Sequence, residues 1–235
     1  MISDQTALRP VVNGSIWDAQ QRLRFGPMLL RTRMTVIKLS DGSLWVHSPI
    51  EPTVALRHSL ASLGPVRHVV APNLFHHRFF AAFVQEFPQA TGWIAPGLQH
   101  KRPDLAAYPV LSSESNWGEE MDSCLLKGLP VLNETVWIHR PTSTLIATDI
   151  LFCLGNENPL LTRLAGRVLG VQQRVAMSRT MRWMVRDREA LARSVEQILA
   201  WHPERLVLAH DRIIEDKVPS TLVQAFEWLK GPRAA

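Results

Sequence analysis

Residues 66–80, Val-Arg-His-Val-Val-Ala-Pro-Asn-Leu-Phe-His-His-Arg-Phe-Phe, constrain this chain more than any other stretch. A short run rich in valine ends abruptly at Pro72, which cannot continue the hydrogen-bond ladder of a central strand. A polar turn follows, and then an apolar segment opened by two adjacent histidines, His76 and His77. Buried strand, loop and helix in that order are the building unit of α/β proteins, whose ligands gather where strands end and loops begin. Two imidazoles at such a loop can bind metal, move protons, or hold the turn by hydrogen bonds.

The flanking segments extend the pattern. Residues 34–39 and 43–47 are β-rich and enclose Asp41-Gly42, a hairpin signal. A second turn is expected at Gly26-Pro27, and residues 1–13 read as a loosely held lead-in. Thr53 can cap a helix over 53–63, in which Leu56, Leu60 and Leu63 share a face and which Gly64-Pro65 ends. After the strand at 66–71, the spacing predicts a helix over 76–87 with Phe79, Phe80 and Phe83 inward. A strand over 91–95 and an irregular stretch over 101–120 come next. Strands over 131–139 and 144–150 are hinged at Arg140-Pro141. Helices are expected over 160–170 and 179–201. The second carries a stripe of Met184, Leu191, Val195, Ile198 and Leu199 opposite Arg182, Arg186, Arg188 and Arg193. A strand over 206–209 and an amphipathic helix over 217–230 close the chain. An opening meander followed by alternating strands and helices fits two mixed sheets flanked by helices. It does not fit a uniform Rossmann alternation, and no glycine-rich phosphate loop is present.

With 235 residues, 46% hydrophobic and 20% charged, the chain has material for a real core, in one substantial α/β domain or two small ones. The formal net charge is +5. That suits a solvated basic surface, and no aromatic-basic motif supports nucleic-acid binding. The two cysteines, Cys124 and Cys153, form no Cys-x-x-Cys pair, which excludes a thiolate zinc finger and a disulfide framework and fits a reducing compartment. The opening residues lack a signal-peptide core and no apolar run reaches about 18 residues, so a cytoplasmic protein without a membrane span is expected. Eight tryptophans read as core packing, or as interface anchors if the chain forms a homo-oligomer.

Four polar spots directly follow apolar strand-like runs: Asn73 with His76 and His77, His139-Arg140, Asp149, and His210-Asp211. Strand ends that gather along one edge would let these residues share a cleft. A carboxylate and imidazoles converging there suit zinc, manganese or iron. Each residue alone has a plainer structural role, since an aspartate after a strand is commonly a cap or turn former. Thr142-Ser143-Thr144, beside His139-Arg140, offers hydroxyls and a guanidinium to an anion, or equally satisfies a turn. No Gly-x-Ser-x-Gly elbow supports a nucleophilic serine.

Taken in order, several short motifs resemble a small bacterial family within the metallo-β-lactamase-like (glyoxalase II-like) superfamily. They are residues 39–49 (Leu-Ser-Asp-Gly-Ser-Leu-Trp-Val-His-Ser-Pro), 63–73, His76-His77, Ala95-Pro96-Gly97 and Lys101-Arg102-Pro103-Asp104. Residues 139–145, Asp149 and Leu208-Ala209-His210 complete the set. The resemblance implies a single-domain, four-layer αββα sandwich with a metal site at one edge. Laying the superfamily's His-x-His-x-Asp-His motif on this chain puts Asn73, Phe75, His77 and Arg78 at its four functional positions. Asp149 falls at the metal-bridging aspartate and His210 at the final metal histidine. The Gly-His-Thr turn has no counterpart. Two readings follow. One is a divergent hydrolase of a small ester-like or anionic substrate with a mononuclear zinc, manganese or iron site. In it His77, Asp149 and His210 are ligands, Asp149 and His76 are the catalytic groups with His76 as ligand or proton shuttle, and Asn73 and Arg140 bind substrate. The other is a metal-free, non-catalytic binding protein on the same scaffold.

Overall fold

The computed structural model describes residues 7–26, 28–112, 115 and 117–231. Residues 1–6 of the expected lead-in and Pro27 of the expected turn lie outside them. The chain divides into two compact units, Met1–Phe25 with Leu30–Ser115, and Gly26–Leu29 with Asn116–Ala235.

The first unit is built on a six-stranded mixed sheet in sequence order: β1 (Arg9–Val12), β2 (Ile16–Phe25), β3 (Met28–Lys38), β4 (Leu44–His47), β5 (Val66–Ala71) and β6 (Thr91–Ile94). β1 is antiparallel to β2 and β3 to β4, whereas β4, β5 and β6 run parallel. The expected hairpin at Asp41-Gly42 is the β3–β4 connection. Residues 9–12, read as lead-in, form a strand instead. Arg9 and Arg33, from the two ends of this meander, both bond the buried carboxylate of Asp18. Crossover α1 (Val54–Leu63) starts where Thr53 Oγ1 accepts the Leu56 N–H, and it buries Leu56 and Leu60. It ends at Gly64, where a Cβ would collide with the Gly42 carbonyl oxygen.

Helix α2 (Phe80–Glu86) starts four residues later than the spacing predicts. The side chain of Asn73 is the reason: its Oδ1 accepts the N–H groups of Phe75 and His76 at 2.8 and 2.7 Å, committing the chain to a tight turn first. Phe80 and Phe83 are buried as expected, while Phe79 is only half-buried. A short α3 (Leu98–Lys101) follows β6.

The second unit carries a five-stranded mixed sheet of β7 (Met121–Leu125), β8 (Thr135–His139), β9 (Thr144–Ala147), β10 (Arg205–Leu208) and β11 (Ile213–Ile214), in the order β11-β10-β9-β8-β7. Only β9 and β10 are parallel, in register Leu208↔Ala147. Strand β8 begins at Thr135 rather than 131, because Asn133 takes a left-handed conformation with φ 43°. Between β9 and β10 lie α4 (Leu160–Leu169), α5 (Arg179–Trp183) and α6 (Arg188–Ala200); α7 (Val218–Phe226) ends the unit. The single helix expected over 179–201 is therefore two. Asp187 caps α6 by accepting the Ala190 N–H, and the Arg186 and Asp187 N–H groups turn to the Gly128 carbonyl. Met184 drops out of the stripe; Leu191, Val195 and Ile198 pack with Leu206, Leu222 and Phe226 in the core.

Candidate metal centre

Asp149 and His210 stand two residues beyond the ends of β9 and β10. Because those strands are parallel neighbours with Ala147 opposite Leu208, equal overhangs place the two side chains together. His210 Nε2 lies 3.3 Å from Asp149 Oδ1, and both residues are buried.

The loop that carries Asp149 is folded around a second carboxylate. Glu134, fully buried, accepts the backbone N–H of Thr148 on Oε1 at 2.7 Å. Its Oε2 accepts the N–H groups of Asp149 and Ile150 at 2.8 and 3.0 Å. Three convergent donors to one carboxylate fix the backbone direction at Asp149. On the other side, Phe152 stacks on the His210 ring at 5.0 Å with 7° between planes. Next in the chain, Asp211 takes a left-handed conformation, φ 60°, and its Oδ2 accepts from Gly155 N–H and the Asn158 amide.

In the first unit, the Asn73 turn presents His76. Its Nδ1 lies 2.7 Å from Ser48 Oγ. Ser48 itself is held in a left-handed conformation, φ 53°, just past β4. Burial, with His76 adding to it, pushes the pKa of nearby His47 down to about 3, so His47 stays neutral.

His77 is engaged differently. Its Nδ1 is 3.2 Å from Arg102 Nη1, and Arg102 is clamped by both oxygens of Asp104. A guanidinium only donates, so the Nδ1 of His77 accepts. Burial, then Lys101 and Arg102, hold the His77 pKa below the ordinary imidazole range. Lys101 Nζ donates to the Leu74 carbonyl at 2.6 Å and sits 4.6 Å from the centre of the Phe75 ring. The Lys101-Arg102-Pro103-Asp104 motif thus braces the 74–77 turn, a role its sequence alone does not disclose.

Within the second unit, Asp149 and His210 each offer one ligand atom to a metal ion. A carboxylate oxygen and an imidazole nitrogen are two of the three protein ligands that a catalytic metal site uses. Asn73 is fully buried with its oxygen spent on the turn, Phe75 has no donor, and the Nδ1 of His77 faces a guanidinium.

Arg140 does not join this end of the sheet. β8 runs antiparallel to β9 with His139 opposite Thr144, so Arg140 sits at the far end of that hairpin from Asp149. There it is ion-paired with Asp122. The expectation that these strand ends gather along one edge fails at β8 for this reason. His139, at the same far end, bonds Thr142 Oγ1 at 2.8 Å. Both cysteines are free and buried. Of the groups that shape the site, Glu134 and Ser48 went unnoticed in the sequence. Ser48 leaves the trace of standing beyond a β-run, as the chosen residues do. Glu134 leaves none, because its partners are backbone groups up to 16 residues away.

Solved structures with this architecture define the class. DIM-1 metallo-β-lactamase exposed to ceftazidime superposes with a TM-score of 0.66 over 94% of this chain and 96% of its own, at 13% identity. The mono-zinc form of the metallo-β-lactamase FIM-1 from Pseudomonas aeruginosa gives 0.61 over 98% and 99%, at 8% identity. A metal-soaked flavodiiron core, Flv1 from Synechocystis sp. PCC6803, gives 0.66 over 97% of this chain and 62% of that one, at 10% identity. The chain has the metallo-β-lactamase-like αββα sandwich fold. It belongs to the family described as a domain of unknown function, DUF4336, whose model matches residues 13–182. No curated protein matches it in sequence.

Proposed function

We propose that this protein is a divergent metallo-hydrolase with a single metal ion, acting on a small ester-like substrate. His76, Asp149 and His210 are its ligands. The buried pairing of Asp149 with His210 at 3.3 Å is the observation that carries the reading. A carboxylate and an imidazole brought to adjacent strand ends, each with its own supporting group, are preorganised for a cation. A zinc, manganese or iron ion held there supplies the Lewis acidity that activates water at neutral pH. The chain's own residues set the frame. Ser48 orients the His76 ring, Glu134 aims the Asp149 backbone, and Phe152 covers one face of His210. Asn73 shapes the turn that presents His76, and support for an anionic substrate weakens with Arg140 at the far end of its hairpin.

A second reading has one observation in its favour. His210 and Asp149 already satisfy each other by a hydrogen bond, as a metal-free binding scaffold requires. Elemental analysis of protein purified without an affinity tag separates the two. The hydrolase reading expects about one equivalent of zinc, manganese or iron, falling below about half in Asp149→Ala and His210→Ala. Wild-type protein below about half an equivalent, unchanged after zinc or manganese is added, leaves the binding scaffold.

A further inference from the structure

Helix α4 is inside out for a surface helix. Its buried positions are Thr162 and Gly166, four residues apart on one face. Thr162 Oγ1 accepts the Leu29 N–H at 3.0 Å, and a Cβ on Gly166 would crowd Gln172 and Leu154. This close seat turns the large apolar side chains outward. Leu160, Leu161, Leu164 and Val168 are 64%, 61%, 44% and 69% exposed. At 3.6 residues per turn they fall within an arc of about 100°. An ordinary amphipathic helix buries that stripe. Helix α5 is tied to the end of α4 by Arg179 Nη1, which donates to the Val168 carbonyl at 3.0 Å, and its last residue, Trp183, is 84% exposed.

The charge here is one-sided. Residues 160–186 hold six arginines, Arg163, Arg167, Arg174, Arg179, Arg182 and Arg186, and no aspartate or glutamate. The whole chain carries +5, so everything outside this segment is net −1. Three of the arginines sit close in space: after burial, Arg174 and Arg179 lower the pKa of Arg182.

We propose that α4 and α5 form a docking face for an anionic lipid surface. The leucines, Val168 and Trp183 enter the acyl boundary and the arginines meet the phosphates. A second copy of this chain would oppose this arginine-rich segment with another like it, which disfavours self-association through this face. Lying on a bilayer is a separate demand from crossing it, and no described helix is long and apolar enough to cross. The inference is independent of the metal centre.

Vesicle flotation of the full chain tests it. Vesicles of phosphatidylglycerol and phosphatidylcholine in equal parts should carry about tenfold more protein than vesicles of phosphatidylcholine alone, and about 0.5 M salt should reverse this. The double variant Leu161→Ser/Leu164→Ser, and separately Trp183→Ser, should lower flotation by about fivefold with an unchanged melting temperature. Arg167→Glu/Arg174→Glu should remove the preference for anionic lipid. Equal flotation on both vesicles, or full flotation of Leu161→Ser/Leu164→Ser, overturns the proposal. So does a species of twice 26.6 kDa in light scattering that the leucine variant returns to monomer.

Discussion

Glu134 Oε2 accepts the backbone N–H of Asp149 at 2.8 Å, inside the protein. The same carboxylate holds the N–H groups on either side, so the Asp149 loop is wrapped on one anion. In Glu134→Gln one oxygen becomes an amide that cannot accept, leaving at least one buried N–H without its acceptor. The expected loss is about 1–3 kcal/mol in urea unfolding, with metal content falling alongside. A loss under about 0.5 kcal/mol would mean the loop keeps its shape without the anion.

Ser48 bears on the proposed site through its bond to His76. Ser48→Ala removes the hydroxyl that bonds the His76 ring while leaving His76, Asp149 and His210 unchanged. Metal affinity should weaken by about 10–100-fold in competition with a chelator, while the melting temperature moves little. Unchanged affinity would remove Ser48 from the ligand's support.

The Lys101–Asp104 brace is half-buried at Arg102 and exposed at Asp104, so it adds little to global stability. Arg102→Ala should cost less than about 1 kcal/mol in urea unfolding. Its effect belongs to the 74–77 turn, where the His77 amide should exchange hydrogen faster than in wild type. Exchange that stays the same would show the turn is held by Asn73 alone.

Burial keeps the His139 pKa below the ordinary imidazole value of 6.5, with Glu120 pulling the other way. As pH falls past that value the unfolded chain takes up a proton that the folded protein refuses, so stability declines on the acid side. His47 has the same sign, with its folded pKa at about 3. The melting temperature should fall below about pH 6.5. His139→Gln should make the fall shallower, and an equal slope in that variant would place the protons elsewhere.

Gly128 sits at φ +82°, and a Cβ there would run into the Asp187 carbonyl. Its own carbonyl takes the two N–H groups that end the first half of the 179–201 segment. Gly128→Ala should destabilise by about 2 kcal/mol or more in thermal unfolding. A near-neutral result would mean that Asp187 alone sets the break between α5 and α6.

What the sequence discloses here is what neighbours in the chain decide. The Asp41-Gly42 hairpin, the Thr53 cap and the strand ending at Pro72 all depend on residues within a few positions of one another, and all three are present. The misses share a distant cause. Helix 179–201 is periodic throughout, yet a carbonyl from Gly128 interrupts it. Strand β7, Met-Asp-Ser-Cys-Leu, has no strand-like composition and exists through its pairing with β8. Arg140 follows an apolar run as Asp149 does, but strand direction, which no local pattern encodes, sends it to the opposite end. Asp149 and His210 were legible as polar residues after buried runs; their partnership required the parallel register of β9 and β10.

That register separates what can vary from what cannot. Asp149 and His210 are 61 positions apart with three whole helices between them, yet none of that length sets the spacing of the pair. Segments could be lengthened, shortened or exchanged there during evolution with the two groups still meeting. A single residue inserted between Leu208 and His210 would shift the imidazole along its strand by about 3.3 Å and turn it to the opposite side.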